Sequence, residues 1–371
     1  GTLMGMGNLP EAADIALDLT RLNEVVVYEP DDLTIAVQAG CRIGDLDAIL
    51  AEHGQMLPFE VACPAEATVG GLYAAAISGP RRFGHGSMRD LVIGITCMSP
   101  SGELARGGGM VVKNVSGYDM MRLHYGALGS LGVIVQLNFK VLPRPTAQRT
   151  VVVLFADLEN AVRAALAVRE SQLTPTAITI LDETAARSAG LDVAPWTVLM
   201  RAEGPAEAAA QQTKRLRESA LVGSIESEVL EDAATEALWA TTNASLAAAP
   251  EESAINMRIG MPATRASEIV QAVCDVSSER LLRRAISVDI GNGLLFARFD
   301  ADYDHLPELQ LAWDALRGIG SHASLLTAPP SVKQGIDVYG SEPEGFGLMS
   351  ALKQQFDPRR TLNRGRFIGH L

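Results

Sequence analysis

The chain has 371 residues, 47% of them hydrophobic, and carries a formal net charge of -13 at pH 7. A chain of this length and composition can bury a sizeable core, which excludes a disordered protein and favours two globular domains. The acidic charge argues against nucleic-acid binding, because proteins that grip a phosphate backbone need basic stripes that release its counterions.

The first part of the chain alternates short strands with a helix. Runs of β-branched and apolar residues predict strands over 25–28, 34–37, 91–100 and 132–142. The Glu-Pro-Asp-Asp segment between the first two strands predicts a hairpin, and helical spacing from Leu46 predicts a helix that stops at Gly54. Glycine, proline and small residues dominate 58–90, where a ligand can lie against main chain. Pro143 and Pro145 then mark a boundary.

The second part of the chain repeats one order of elements, βαββαβ. In the first copy the predicted elements are 150–155, 157–171, 177–181, 197–201, 205–220 and 224–229. In the second copy they are 253–260, 263–276, 285–290, 294–299, 306–318 and 323–326, with Gly-Asn-Gly at 291–293 as a hairpin turn. A helix over 231–248 is predicted to connect the copies. Two ferredoxin-like units in one antiparallel sheet, with helices on one face, would give this order.

Several common chemistries leave no trace in the sequence. None of the lysines follows a glycine, which excludes a P-loop nucleotide triphosphatase. The Gly-x-Gly pairs lack the third glycine of the Rossmann fingerprint, and the histidines show no metal-binding spacing, so no metal site is predicted. A Gly-x-Ser-x-Gly elbow is also missing, which disfavours a hydrolase.

The cysteines and the hydropathy bear on the compartment. The four cysteines are far apart and contain no Cys-x-x-Cys pair, so no iron–sulfur cluster is encoded and reduced thiols in the cytoplasm are expected. No run of about eighteen uncharged apolar residues occurs, so the sequence predicts no transmembrane helix.

Two glycine-rich segments carry the strongest functional signal. One is Pro-Ala-Glu-Ala-Thr-Val-Gly-Gly over residues 64–71, and the other is Gly-Ser-Leu-Gly-Val-Ile over 129–134. Small residues let the backbone approach a ligand closely and aim several N–H groups at a diphosphate, so the pair predicts a cradle for a flavin dinucleotide. On spacing alone an alternative stays open, in which these glycines are ordinary turn residues of a β-rich domain.

The order of these motifs resembles the FAD-binding domain of the vanillyl-alcohol-oxidase (PCMH-type) flavoproteins. The likeness is carried by 64–71, 74–80, Arg89, Asp90, Gly94, 113–119 (Lys-Asn-Val-Ser-Gly-Tyr-Asp) and 129–134. Gly-Pro-Arg-Arg at 79–82, Val-Leu-Pro-Arg-Pro at 141–145 and the ending over 356–366 look most like subunits of bacterial glycolate oxidase. The resemblance covers nearly the whole chain. It implies an α+β protein in which a PCMH-type FAD-binding domain is followed by a ferredoxin-like antiparallel cap domain.

The same resemblance divides the chain into three parts. Residues 1–145 would form the FAD-binding domain, 146–346 the α+β cap with its two βαββαβ units, and 347–371 a segment that returns to the FAD-binding domain. In the family, the first loop resembles Gly-Gly-Gly-Thr-Lys, of which only Gly1 and Thr2 are present here. We therefore expect the natural protein to be longer at this end, and a truncated chain to bind FAD poorly.

The resemblance also implies how FAD would bind. The cofactor would lie extended, with its diphosphate on the N-terminal loop and on 64–71, its adenine end near 129–134, and its flavin close to the C-terminal tail. The implied cofactor-binding residues are Gly1, Thr2, Pro64, Ala65, Glu66, Ala67, Thr68, Val69, Gly70, Gly71, Ala75, Ser78, Gly79, Gly129, Leu131, Gly132, Val133, Ile134 and Asn363.

The implied reaction is the oxidation of a small 2-hydroxy acid, such as glycolate to glyoxylate, with electrons passed to an iron–sulfur partner. D-type flavoprotein and iron–sulfur subunits would complete the complex and could hold it at the inner face of the cytoplasmic membrane. The catalytic relatives carry a histidine-rich metal run in the cap, whereas 287–294 contains no histidine here, so no catalytic residue is identified. Two alternatives stay open: a non-catalytic flavin-bearing or scaffold subunit, and a stand-alone flavin-dependent oxidoreductase for another hydroxy acid or alcohol.

Overall fold

The computed structural model describes residues 1–111, 117–192, 194–246, 253–302 and 305–371. Their strands are β1 (Val25–Glu29), β2 (Thr34–Gln38), β3 (Gln55–Met56), β4 (Val92–Met98), β5 (Leu104–Gly108), β6 (Val133–Lys140), β7 (Leu142–Pro143), β8 (Ala147–Phe155), β9 (Ala177–Asp182), β10 (Trp196–Gly204), β11 (Ser224–Glu231), β12 (Ala254–Gly260), β13 (Arg283–Asp289), β14 (Leu294–Asp300) and β15 (His322–Thr327). Their α-helices are α1 (Ile43–Ala51), α2 (Val69–Ala75), α3 (Arg82–His85), α4 (Met88–Leu91), α5 (Met120–His124), α6 (Leu158–Arg169), α7 (Glu183–Ser188), α8 (Ala206–Ala220), α9 (Asp232–Leu246), α10 (Ala266–Glu279), α11 (Leu306–Leu316), α12 (Pro330–Lys333) and α13 (Phe346–Phe356).

Five strands of the first part form an antiparallel sheet in the order β1-β2-β6-β4-β5. Fully buried side chains of its central strands, such as Ile35, Leu137 and Phe139, pack against the buried faces of α1 and α2. The predicted hairpin and the helix before Gly54 are present as β1, β2 and α1. The sequence did not predict α2 or β5, because both are rich in glycine, which lowers propensity for helix and strand alike.

The second part forms an antiparallel sheet of eight strands in the order β11-β8-β10-β9-β13-β14-β12-β15. Each predicted βαββαβ copy supplies four strands, and the two inner strands β9 and β13 join the copies. The order β11-β8-β10-β9 of the first copy reappears reversed in the second, so the two copies are related by an approximate two-fold axis. The predicted connecting helix is α9, whereas α7 was not predicted.

The two faces of the eight-stranded sheet meet different surroundings. Alternate residues of its strands, including Val153, Met257 and Phe299, are buried against α6, α8, α10 and α11. The opposite face of the first copy is covered by α7 and α9, where Trp239 is almost fully buried. The opposite face of the second copy instead turns towards the first part of the chain and carries polar residues.

The C-terminal segment returns to the first part of the chain. Buried Lys353 on α13 donates hydrogen bonds to the Ser130 carbonyl at 2.8 Å and to Asp357 Oδ2 at 2.7 Å. This contact ties α13 to the loop before β6. Among the described helices, none combines the length and the apolar character that a bilayer-spanning helix requires.

Candidate active site

The segment 64–71 forms a turn that leads into helix α2. The Thr68 side chain caps this helix, because its hydroxyl accepts the N–H of Gly71 at 3.3 Å. A Cβ atom at Gly70 would lie 2.7 Å from Ala39 Cβ, so this glycine lets α2 pack against the residue that follows β2. Other backbone N–H groups of this segment donate hydrogen bonds to backbone carbonyls of the chain, namely those of Glu66, Ala67, Val69 and Gly70. The turn is therefore held by its own protein contacts, and these N–H groups, which the motif predicted would face a diphosphate, are used within the chain.

The loop 126–134 lies directly against α2. Backbone N–H groups of Gly126 and Leu128 donate to carbonyl oxygens of that helix at 3.1 and 2.9 Å. The Asn363 side chain, from the C-terminal tail, donates to the Leu128 carbonyl. Gly129 has a φ of +68°, and a Cβ atom there would lie 3.0 Å from Asn363 Nδ2. The structure thus brings the second glycine-rich segment, α2 and Asn363 together.

The N-terminal loop is anchored to the same region. Lys333 Nζ donates to the Gly7 carbonyl at 2.9 Å, and Arg366 donates to the Met4 carbonyl at 2.6 Å. Burial lowers the pKa of Lys333 to about 8. These bonds hold the loop so that Thr2 lines a cavity between the two halves of the chain.

This space, which we name the interface cavity, is lined by apolar and polar side chains from both halves. The apolar residues are Leu3, Met6, Val61, Ala62, Ala76, Ile77, Pro80, Leu294, Phe296 and Leu326. The polar and charged side chains are Thr2, Glu60, Ser78, Arg82, Asn243, Arg258, Ser287, Asp289 and Thr327. A flat apolar ring with a few polar substituents is the kind of ligand that such a lining accommodates.

The cap wall of the interface cavity is built from a row of paired residues across the sheet. Ser287 on β13 lies opposite Phe296 on β14, which lies opposite Arg258 on β12, which lies opposite Ser324 on β15. Because successive side chains of a strand alternate between faces, Asp289 points to the same face as Ser287. The neighbours Val288, Leu295 and Met257 point to the helix-covered core.

Arg258 stands out among the charged residues of this wall. Its Nε atom is buried and has no hydrogen-bond partner, and among the described residues no carboxylate forms an ion pair with it. Burial lowers the pKa of its guanidinium, with Tyr339 opposing the shift. The Ser287 hydroxyl is likewise buried without a partner. A buried polar group without a hydrogen-bond partner destabilises the fold. An anionic or hydroxylated ligand would supply the missing partner to both groups.

Asp289 is the second charged residue that β strands of the cap bring to this wall. It is 2% exposed, and its carboxylate accepts the side-chain amide of Asn292 at 2.8 Å and the backbone N–H of the same residue at 3.3 Å. Burial raises the pKa of Asp289 to about 7, and the hydrogen bonds from Asn292 only partly oppose this. A carboxyl group with this pKa can exchange a proton near neutral pH.

A cluster of ion pairs joins the two halves beside the interface cavity. Glu203 of β10 accepts hydrogen bonds from Arg81 Nε at 3.0 Å and lies 3.0 Å from His85 Nε2. Arg201 of the same strand donates to Glu60 Oε1 at 2.6 Å, and Arg81 N donates to Glu60 Oε2 at 2.8 Å. Burial opposes the charge of Glu203, but its hydrogen bonds to His85 and Arg81 prevail and lower its pKa. We call these five residues the interdomain cluster.

The structure distributes the predicted site residues unevenly. The turn 64–71, the loop 126–134 and Asn363 lie around α2, whereas Thr2, Ser78 and Gly79 line the interface cavity. Residues 113–116, the first four of the Lys-Asn-Val-Ser-Gly-Tyr-Asp motif, lie outside the described residues. Sequence reasoning missed Arg258, Asp289 and the interdomain cluster. Arg258 and Asp289 could have been found from the alternation of polar and apolar residues in their strands, as in Asn-Met-Arg at 256–258 and Ser-Val-Asp at 287–289. Such alternation places the polar side chains together on the second face of the sheet.

Two family models match the chain. Residues 1–108 match the FAD binding domain, and residues 144–312 match the C-terminal domain of FAD linked oxidases. Combined with the fold, these matches define the class: the chain is an FAD-dependent oxidoreductase with a PCMH-type FAD-binding fold, and FAD is its cofactor.

Curated relatives narrow the comparison further. The chain is 24% identical to glycolate oxidase subunit GlcD of Bacillus subtilis (strain 168), over 99% of this chain and 82% of that protein. It is 38% identical to glycolate oxidase subunit GlcE of Escherichia coli (strain K12) over 195 residues, which is 52% of each chain. It is 29% identical to D-lactate dehydrogenase of Anaerostipes hadrus over 46% of this chain and 35% of that protein. Apart from the Bacillus protein, the chain therefore matches only about half or less of these relatives' length.

Solved structures share the fold at low sequence identity. P-cresol methylhydroxylase superposes with a TM-score of 0.71 at 15% identity, covering 94% of this chain and 79% of that chain. The 4-ethylphenol oxidase of Gulosibacter chungangensis gives a TM-score of 0.71 at 13% identity, covering 98% and 83%. Both comparisons support the architecture alone.

The residues present fit FAD. The interface cavity offers apolar side chains for a flavin ring, together with buried polar atoms of Arg258 and Ser287 that have no protein partner. Such a combination of apolar side chains and a few unpaired polar groups suits the large ring of a flavin.

Proposed function

We propose that the chain is an E-type flavoprotein subunit of a glycolate-oxidase-type complex, which oxidises a small 2-hydroxy acid to the 2-oxo acid. The names of the relatives support this reaction class, because they comprise glycolate oxidase subunits and D-lactate dehydrogenases. Glycolate is the substrate we favour, with glyoxylate as product. A D-type flavoprotein and an iron–sulfur subunit are the partners that this proposal requires.

One observation carries the proposal, the unpaired Arg258 in the interface cavity. A 2-hydroxy acid has a carboxylate that must be desolvated before its C2 atom can approach a flavin ring. Arg258 lies at the wall of a cavity with an apolar lining and lacks an acidic partner among the described residues. An arginine fork binds a carboxylate through two parallel hydrogen bonds and stays charged at neutral pH.

In this proposal the chain holds FAD in two places. The diphosphate and adenine end lie along the backbone of Gly1, Thr2, Pro64, Ala65, Glu66, Ala67, Thr68, Val69, Gly70, Gly71, Gly129, Leu131, Gly132, Val133 and Ile134. The flavin end lies near Ala75, Ser78, Gly79 and Asn363. FAD supplies an acceptor for two electrons and a hydrogen from C2. Residues 1–145 form the FAD-binding domain, 146–346 the cap and 347–371 the returning segment.

The chain's own residues position the acid. Arg258 binds the substrate carboxylate, and the apolar side chains Phe296 and Leu326 keep water away from C2. The unpaired hydroxyl of Ser287, on the same wall, can donate to or accept from a substrate oxygen. Excluding water strengthens each of these contacts, because the local dielectric falls.

The test is a titration of the FAD-loaded protein with oxalate, a mimic of the acid that has no C2–H bond to oxidise, followed by flavin absorbance. Removing a hydrogen bond to a charged group costs about 1.5–3 kcal/mol, so Arg258→Met should weaken oxalate binding about 10- to 150-fold. Arg258→Lys should recover part of the loss, because it restores the charge without the fork. The exposed Arg187→Met is the matched control and should bind oxalate like the wild type.

Adding glycolate in the absence of oxygen then distinguishes a catalytic subunit from one that only carries FAD. Bleaching of the flavin in the wild type, and a higher glycolate requirement in Arg258→Met, supports the proposal. Equal oxalate affinity in both proteins contradicts the role of Arg258. Oxalate binding without any bleaching by 2-hydroxy acids would instead identify a non-catalytic flavin-bearing subunit of the same complex.

A further inference from the structure

We infer that Asp289 is the general base that accepts the hydroxyl proton of the 2-hydroxy acid, an assignment that rests on the proposed function. A base must stand on the same side of the cavity as the carboxylate anchor, at the distance that one small acid spans. Asp289 and Arg258 both line the interface cavity and lie on the same face of the cap sheet.

The strand register sets their separation. Arg258 and Ser287 are both paired with Phe296, so two strand spacings separate β12 from β13. Asp289 lies two residues beyond Ser287. With strands about 4.8 Å apart and about 3.3 Å per residue, the Cα atoms of Arg258 and Asp289 are about 12 Å apart. Both side chains line the interface cavity, so a small acid bound in that cavity can contact the two of them.

Two other titratable groups near the cavity, Glu60 and His85, are already engaged by protein partners. Glu60, the second carboxylate of the lining, accepts Arg201 Nη1 at 2.6 Å and the backbone N–H of Arg81 at 2.8 Å. Both carboxylate oxygens of Glu60 therefore already accept hydrogen bonds from the protein. His85 is bound to Glu203. Asp289 is bonded only by Asn292 among the described residues, and both are on the cap hairpin.

The charges that face Asp289 come from both halves of the chain. Glu60 disfavours the ionised form of Asp289, and Arg82 favours it. Arg258 adds a positive charge from the same wall, and Arg169 lies on the far side, with Nε 3.5 Å from the Gly291 carbonyl of the hairpin. Burial outweighs the favourable terms, which leaves the carboxyl poised to take and release a proton near neutral pH.

The step balances without a further reactant. The substrate O–H bond breaks, its proton passes to Asp289, and its electron pair forms the carbonyl bond. The C2–H bond breaks, and bound FAD would be the oxidant that takes up its hydrogen together with the electron pair. The products would be the 2-oxo acid, reduced FAD and a protonated Asp289, which later returns its proton to water.

The decisive variants are Asp289→Asn and Asn292→Ala. General bases contribute about 10²- to 10⁴-fold, so Asp289→Asn should lower kcat by that factor, while oxalate affinity stays near the wild-type value. The wild type should lose activity as pH falls below about 7, and Asp289→Asn should not show this loss at acidic pH.

Asn292→Ala removes a hydrogen bond to the ionised carboxylate of Asp289, so the pH at which activity is lost should rise by about one unit. The exposed Asp275→Asn is the control for a charge removed elsewhere.

Thermal unfolding of the FAD-free chain gives a readout that needs no turnover. Because the native carboxyl binds its proton more tightly than an unfolded aspartate, Asp289 should stabilise the fold at about pH 4, and this contribution should be lost as pH rises to about 7. The difference in Tm between the wild type and Asp289→Asn should therefore change across that window. If Asp289→Asn keeps wild-type kcat and still loses activity at acidic pH, or if the two Tm profiles are parallel, Asp289 is not the base.

The two proposals fail separately in these experiments. Wild-type turnover in Asp289→Asn, combined with weak oxalate binding in Arg258→Met, overturns the base and leaves the proposed function standing. Oxalate binding that ignores Arg258 overturns the proposed function, and the base assignment falls with it. If Asp289→Asn does not fold, the pH dependence of activity in Asn292→Ala is the test. If the pH at which this variant loses activity equals that of the wild type, the inference is overturned.

Discussion

Two buried cations of this chain, Lys353 and Arg201, are each paired with a carboxylate, and they provide a comparison for Arg258. Lys353 is 3% exposed and bonds Asp357 at 2.7 Å, and Arg201 is 2% exposed and bonds Glu60 at 2.6 Å. Each pair offsets the cost of removing its charges from water. Arg258 lacks such a compensating carboxylate, which is what a residue awaiting an anionic ligand should lack.

Lys353 itself supports a prediction at the residue scale. Burial opposes the charge of Asp357, but hydrogen bonds from Lys353 and from the backbone of Leu362 prevail and lower the pKa of this carboxyl. Lys353→Met removes the cation and leaves Asp357 buried and uncompensated, so we expect a loss of about 3–5 kcal/mol in the free energy of unfolding. Denaturant unfolding at pH 7 measures this loss.

An exposed lysine provides the control. Lys214 is 78% exposed at its side chain, and Lys214→Met should change the free energy of unfolding by less than about 0.5 kcal/mol. Equal losses in both variants would show that the buried pair contributes nothing specific to stability.

At the scale of single elements, α2 shows how a glycine-rich motif can have two uses. The motif was predicted as a ligand cradle, and the FAD-binding role of its residues stays a prediction. In the structure, Gly70 also lets α2 approach Ala39, at the end of β2, closely enough that a Cβ atom would collide with it. The helix is short and glycine-rich, so it depends on this packing and on the Thr68 cap rather than on intrinsic propensity.

Gly70→Ala tests that packing. The added methyl group would lie 2.7 Å from Ala39 Cβ and 2.9 Å from its carbonyl oxygen, both on rigid backbone or next to it. Overpacking of this kind costs about 1–3 kcal/mol, so the Tm should fall. Gly347→Ala is the helical control, because a Cβ atom there meets nothing within 4 Å. Alanine should leave stability unchanged or raise it by up to about 1 kcal/mol. A Gly70→Ala protein as stable as Gly347→Ala would refute the packing role.

At the scale of the whole molecule, the interdomain cluster fixes the cap against the first part of the chain. Glu60, Arg81 and His85 come from the first part, whereas Arg201 and Glu203 come from β10 of the cap. The interface cavity shares Glu60 with this cluster. The contacts that hold the halves together therefore also border the cavity in which the flavin and the acid would meet.

Glu203→Gln tests this coupling through the pH dependence of stability. The substitution keeps the shape of the side chain but leaves Arg81 and Arg201 without their shared counter-charge, so we expect a loss of about 3–5 kcal/mol at pH 7. The pKa of Glu203 lies below its ordinary value, so its ionisation stabilises the fold above about pH 4, and this contribution is lost as pH falls further.

The measurement compares denaturant unfolding at pH 7, 5 and 3.5. The difference between wild type and Glu203→Gln should be largest at the two higher pH values and shrink at the lowest. Glu218→Gln, on the exposed face of α8, is the control and should show a small difference at every pH. A difference that does not depend on pH would mean that Glu203 acts by packing and not by charge.

The order βαββαβ, repeated twice, followed from the sequence because the 3.6-residue and two-residue periods of apolar side chains are local properties. The hairpin β1–β2 and the connecting helix α9 were accessible in the same way, whereas the FAD cofactor was inferred from the resemblance of the ordered motifs to a known family. The site was not. Arg258 and Asp289 lie 31 positions apart in the sequence, on strands whose pairing through Phe296 only the assembled sheet specifies. Which of two alternating faces becomes a cavity wall depends on what packs against it, and that is decided by contacts between residues distant in the chain.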